Sequence, residues 1–236
     1  MQRPNFALQN LLLAALPPDD LSLMAPHLAQ VELERGRLLY DPGDRIDTVF
    51  FPHDGVISLM TLMENGAAIE SATIGREGAL GLPSAIAPRA SLVRAIVQTP
   101  TRAVKISAAQ LHEAWEKSPR IRELADRHGE ALFGHAIQSV ACNALHSVEA
   151  RFCRWLLTCH DRISTDTISL TQEFLADMLG VQRTTVTAVA RALQEKGAIR
   201  YRRGVVDIMD RPALEALTCE CYGVIRRTYE RLLPKG

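Results

Sequence analysis

After Pro119 the chain carries no further proline until Pro212. Proline in a helix interior removes a backbone donor and collides with the preceding turn, so only a chain with such a gap can devote a long continuous segment to helix. The gap is also filled at helical spacing: Ile121, Leu124, Ala125, Leu132 and Ala136 follow Ser118-Pro119, an N-cap serine with proline at the first helical position. This predicts one long helix from about Pro119 to Leu145. Ser147 then predicts the cap of a second helix, with Glu149 in its first turn and Phe152, Trp155 and Leu156 on its apolar face.

The segment before the gap has the opposite character. From Val31 to about Ile106, apolar runs of strand length (Thr48 to Phe51, Val56 to Leu62, Ala68 to Thr73, Val93 to Gln98) are broken by Pro42-Gly43-Asp44, His53-Asp54-Gly55, Glu64-Asn65-Gly66 and Gly75. That rhythm predicts an antiparallel barrel or sandwich, with Asn65-Gly66 expected to form a type I′ hairpin turn. The fold class is therefore α+β. Its segments are an antiparallel β-domain over 1–117, a long helix over 118–146 and a helical C-terminal domain over 147–236.

Composition narrows the function. Lys plus Arg and Asp plus Glu both number 27, so no bulk field marks a nucleic-acid or membrane partner and any basic patch must be local. The longest early apolar run, Leu11 to Leu16, ends at Pro17-Pro18-Asp19-Asp20, too short to span a bilayer and unlike a secretory signal. Five cysteines, an odd number with no C-x-x-C pair, read as reduced thiols of a cytoplasmic protein. Cys219 and Cys221 stand too close together for a usual zinc knuckle. No G-x-S-x-G, Walker loop or G-x-G-x-x-G is present, so the chain does not read as an enzyme, and no cofactor is predicted.

The local patch lies near the C-terminus. Leu170-Thr171-Gln172-Glu173-Phe174-Leu175-Ala176-Asp177-Met178-Leu179-Gly180-Val181-Gln182-Arg183-Thr184-Thr185-Val186 gives two short amphipathic helices about a glycine turn, followed by a small hairpin from Ala198 to Met209. Between Arg183 and Arg203 stand six basic residues (Arg183, Arg191, Lys196, Arg200, Arg202, Arg203) against the single acid Glu195. This stretch resembles the winged helix-turn-helix of the Crp/Fnr family of bacterial transcription regulators. The resemblance implies a homodimer joined by the long helix, a near-palindromic double-stranded DNA site and RNA polymerase as a partner. It also implies DNA contacts from Thr171, Gln182, Arg183, Thr184, Thr185, Thr187, Arg191, Arg202 and Arg203. Where the family usually has a base-reading glutamate this chain has Thr184, and a further arginine is replaced by Ala188, so no operator sequence carries over.

The β-segment resembles the family's β-roll effector domain, a cyclic-nucleotide-binding-like jelly roll. Gly78 to Leu82 and Arg89 to Ala95 match the frame of its phosphate-binding cassette. Of the residues the cassette's chemistry requires, Arg89 remains, in a frame that opens at Gly78. Ala79 replaces the ribose-binding glutamate, Ala90 replaces the serine with Ser91 one residue late, and Ala136 and Ile137 stand where adenine would need polar partners. The resemblance therefore implies a regulator not controlled by cyclic AMP, its effector unknown. Arg89 is left as a site for another anion or as a structural residue, with Glu77 as a substitute carboxylate. An iron–sulfur sensor of the family's kind would need N-terminal cysteines, and the first here is Cys142. His128, His135 and His146 fall within about 20° on one helix face at 100° per residue, open to a metal or haem, a pH switch, or ordinary structural roles. A ligand-binding module that signals through protein contacts is the alternative function.

Overall fold

The structure, a computed structural model, describes residues 9–85 and 89–232. Two short helices, α1 (Leu11–Ala14) and α2 (Pro18–Ser22), precede seven strands: β1 (Ala29–Leu33), β2 (Leu38–Tyr40), β3 (Thr48–Pro52), β4 (Ile57–Leu62), β5 (Ala68–Ile74), β6 (Arg94–Val97) and β7 (Thr101–Ser107). They pair antiparallel as two sheets, β1-β7-β3 and β2-β6-β4-β5. Leu33, Phe50, Ile57, Ile74 and Val97 fill the space between the sheets. This is the expected antiparallel roll.

One turn differs from the expectation. Gly66 has φ +83°, but Asn65 is not among the residues with positive φ, as a type I′ turn would require. The Gly66 N–H instead donates to the Met63 carbonyl (2.9 Å), and Met63 N–H to the Ala67 carbonyl (2.8 Å). The loop is thus three residues long, an ordinary turn over Glu64-Asn65 closed by a left-handed glycine. The Asn65 side chain accepts from Ala67 N–H at 3.0 Å, which holds it in this form.

Helix α3 (Ala108–Lys117) leads into α4 (Pro119–Leu145), whose limits are those expected from the sequence. Ser118 Oγ accepts from Ile121 N–H at 3.1 Å, and proline at the first helical position supplies the matching φ. Ile121, Leu124, Ala125 and Ala131 on one face of α4 enter the apolar core to which α1 and the first sheet also contribute. The opposite face is bare: Phe133, Ile137 and Val140 are 68%, 54% and 72% exposed.

The C-terminal half comprises α5 (Val148–His160), β8 (Thr167–Ser169), α6 (Gln172–Leu179), α7 (Arg183–Glu195), β9 (Ile199–Arg202), β10 (Val205–Ile208), α8 (Arg211–Leu217) and α9 (Cys221–Leu232). Its core, with Phe152, Trp155 and Leu156 of α5 at the centre, continues into Val56 and Met60 of the roll. Buried polar groups fasten the two halves. Trp155 Nε1 donates to Glu70 Oε2 (3.3 Å), Ser58 Oγ donates to the same oxygen (2.6 Å), and the Arg162 guanidinium reaches Thr73 Oγ1 (2.5 Å) and the Glu77 carboxylate.

Candidate nucleic-acid interface and effector site

Local chemistry builds the helix-turn-helix. Thr171 caps α6 by accepting from Phe174 N–H (3.3 Å), and Gly180 ends it in the left-handed conformation (φ +61°). Val186, Ala190 and Leu193 of α7 are buried, which turns Arg183, Thr184, Thr187 and Arg191 outward together with Gln182 at its N-cap. Gln172 Oε1 accepts from Thr187 Oγ1 (3.2 Å) and from Arg183 Nε (3.4 Å), so the first turn of α7 is tied to α6. Thr185 lies on the flank, half buried.

The wing is the sheet β8-β10-β9. Its tip is Arg203-Gly204, both at positive φ (39° and 80°), which lifts Arg203 toward solvent beside Arg202. Between wing and α7 lies a cleft lined by Thr171, Gln172, Arg183, Tyr201 and Arg203. Arg191 pairs with Glu195 (2.9 Å) and Arg202 with Asp207 (3.0 Å), leaving both arginines more than half exposed. Such a face presents hydrogen-bond donors on a helix N-terminus with flanking cations, the arrangement that reads base edges and grips phosphates.

The cassette region is built differently from an anion cradle. The Gly78 N–H donates to the Gly75 carbonyl (3.0 Å), Ala79 N–H to His128 Nε2 (3.1 Å) and Leu80 N–H to the Phe50 carbonyl (2.8 Å). Three successive amides are therefore already engaged. A Cβ on Gly78 would come within 2.9 Å of the same His128 nitrogen, so this glycine makes room for an imidazole. Arg89 and Ala90 are exposed. Ser91 is buried, and its hydroxyl donates to the Val93 carbonyl (2.7 Å). Residues 86–88, the middle of the expected cassette and the proline preceding Arg89, lie outside the described residues.

Two expectations need correction. Glu77 does not stand in for the lost cassette carboxylate, because the buried Arg162 guanidinium holds it. The three histidines do share the helix, yet they do not form one ligand set. At 1.5 Å rise per residue, His128 and His146 are separated by roughly 27 Å, beyond any single ion. His128 and His135 are buried within the protomer, His135 edge-on to Tyr229, and burial lowers the pKa of both, that of His128 to about 4. Among the described residues, His146 alone of the three lies in a group of metal-binding side chains, with Cys142, Cys219 and Cys221. Reasoning from sequence missed this grouping because its two halves lie more than seventy residues apart.

A roll that carries a sensor frame, a long helix with a bare apolar seam and a winged helix-turn-helix together define a DNA-binding transcription regulator. Comparison with known proteins agrees. Residues 30–118 match the cyclic nucleotide-binding domain family, and residues 150–217 match the Crp-like helix-turn-helix domain family. The chain belongs to the Crp/Fnr family of transcription regulators. It is 23% identical over 185 residues to the global nitrogen regulator of a Nostoc species, covering 74% of this chain and 82% of that one. Its fold is shared with FixK2 from Bradyrhizobium japonicum (TM-score 0.69, 16% identity, 81% and 98% of the two chains). It is shared too with a CRP-family transcriptional regulator from Thermus thermophilus (0.63, 21% identity, 79% and 95%). No helix among the described residues is long and apolar enough to cross a membrane.

Proposed function

We propose that this regulator is a homodimer that reads a near-palindromic operator with paired α7 helices and is not controlled by cyclic AMP or cyclic GMP. The segments 1–117, 118–146 and 147–236 serve as sensor, dimer helix and DNA-binding domain. The site of action is the cytoplasm, with RNA polymerase as the protein partner at the promoter. The observation that carries the reading is the outward face of α7, where Gln182, Arg183, Thr184 and Thr187 stand clear of the core beside Arg202 and Arg203 of the wing.

Support for the dimer comes from the exposed residues of α4. Asp126, Glu130, Phe133, Ile137, Val140 and Ala144 are exposed at alternating steps of four and three, a heptad seam whose lower part is apolar. Burying an isoleucine stabilises by about 1.5–3 kcal/mol, and two-fold symmetry applies this twice. Ile137→Asp should therefore raise the dimer dissociation constant at least about a hundredfold, read by sedimentation of wild type and variant. Unchanged dimer mass in the variant would place the interface elsewhere.

Support for cyclic-nucleotide independence comes from the cassette. Its amides are spent on the protein's own acceptors, Ser91 on Val93, and Ala79, Ala90 and Ala136 offer methyl groups where a ribose, phosphate or adenine needs partners. One binding experiment on genomic DNA tests both claims. Arg183→Ala should lose about 1–3 kcal/mol of discrimination between specific and random DNA, whereas Arg203→Ala should weaken both alike and flatten the salt slope. Equal loss on both DNAs for Arg183→Ala would make it a phosphate contact. A gain in DNA affinity on adding micromolar cyclic AMP or cyclic GMP would refute the independence.

A further inference from the structure

Four metal-binding side chains meet where α4 ends. Cys142 lies on the last turn of α4 and His146 is its C-cap, so the two project on the same side one turn apart. Cys219 comes from the short link between α8 and α9, and Cys221 opens α9. Their donor atoms all lie within 4.8 Å of one another. Cys142 Sγ is 3.5 Å from Cys219 Sγ, and Cys221 Sγ is 3.5 Å from His146 Nδ1. Thiolates and an imidazole on a tetrahedral zinc ion, at metal–ligand distances of about 2.3 and 2.0 Å, stand roughly 3.5–3.8 Å apart. A disulfide would need the sulfurs at about 2.05 Å. We propose that Cys142, His146, Cys219 and Cys221 bind one zinc ion per chain, a structural site that clamps the end of the long helix to the α8–α9 junction of the DNA-binding domain.

The surroundings are those of a metal site. His146 Nε2, the nitrogen facing away from the sulfurs, lies 3.3 Å from Glu220 Oε2, a carboxylate–histidine arrangement that orients the ring and leaves Nδ1 for the ion. Gln138 Nε2 donates to Cys221 Sγ at 3.0 Å, as it would to a thiolate. Three thiolates and a dication leave one net negative charge. The guanidinium groups of Arg151 and Arg154 act on Cys142 from nearby, both are buried, and their Nε atoms have no hydrogen-bond partner. Burial pushes Cys153, which lies outside the group, up to about 12 and raises Cys159 also, as for inert core thiols. The cysteines cover their side of the site, while the His146 side chain is 25% exposed and leaves a path for the ion. The close spacing of Cys219 and Cys221, unsuited to a knuckle alone, suits a site whose other two ligands arrive from another helix.

The test uses the full chain, purified under reducing conditions and analysed for metals by mass spectrometry. One zinc per chain is expected, falling below about a tenth in Cys142→Ser and Cys219→Ser and unchanged in Cys153→Ser. Because the first two variants can unfold, the wild-type chain is also reconstituted with cobalt alone. A tetrahedral cobalt spectrum with thiolate charge-transfer absorption, reversed by one equivalent of zinc, is the expected result. Wild type that holds no zinc and gives no such spectrum would overturn the proposal. So would zinc retained in the folded Cys142→Ser and Cys219→Ser variants, a Cys142–Cys219 disulfide in the reduced preparation, or iron with acid-labile sulfide in place of a single ion.

Discussion

Replacing Arg162 by alanine should cost about 3–5 kcal/mol of folding stability, a large part of the 5–15 kcal/mol typical of a folded domain. The residue follows α5, yet its guanidinium crosses to the roll, where it meets Glu77 and Thr73, with 5% and 14% of the Arg162 and Glu77 side chains exposed. Removal of the cation strands the carboxylate in a site that water barely reaches. The Arg162 carbonyl also accepts from Gly55 N–H (2.8 Å), and Gly75 lacks a Cβ where one would lie 2.3 Å from Arg162 Cδ, so the roll is shaped around this side chain. The denaturant midpoint of Arg162→Ala checks the figure. The double variant Arg162→Met with Glu77→Leu should recover most of the loss, since replacing both partners removes the stranded charge. A single variant as stable as wild type would show the pair to be solvated in solution.

Acid should weaken the fold through His128 before the carboxylates titrate. Its Nε2 accepts from Ala79 N–H, so a proton there would face a donor, and its Nδ1 is buried without a partner. Burial holds its pKa at about 4 in the fold, against an ordinary 6.5. At high pH the ring is neutral in both states and the contribution is complete. As pH falls below 6.5 the unfolded chain takes up a proton that the native chain refuses, and stability drops by about 1.4 kcal/mol per unit, roughly 3 kcal/mol by pH 4. His135, lowered by burial and by Arg162 and Arg154 nearby, adds a loss of the same sign. Buried Glu70, raised by desolvation, opposes them, because its native state gains a proton first. His128→Gln isolates the effect: glutamine keeps an acceptor for Ala79 but does not titrate. Denaturation midpoints at pH 7.5 and 5.5 should separate by about 1.4 kcal/mol less in the variant than in wild type. Equal pH dependence in the two proteins would show that His128 is solvated in the folded state.

The sequence by itself determined the elements whose causes lie within a few residues. Ser118 and Pro119 start α4, Thr171 and Gly180 bound α6, and the apolar period of Val186, Ala190 and Leu193 turns Arg183 and Thr187 outward, so the helix-turn-helix was legible before any coordinates. The Asn65-Gly66 turn shows the limit even at short range. A hairpin was evident, but its loop length depended on the pairing of Met63 with Ala67.

The tertiary structure alone decided what the polar core residues do. Ala79 meets His128 across 49 residues, Glu77 meets Arg162 across 85, and Cys142 meets Cys219 across 77. Such pairs leave no period or spacing to read, because each partner's position is set by the packing of a different element. Spacing alone grouped His128, His135 and His146 on a face of α4. Packing divided them, since the roll and α9 covered the first two, while the α8–α9 link and the first residue of α9 brought Cys219 and Cys221 to the third.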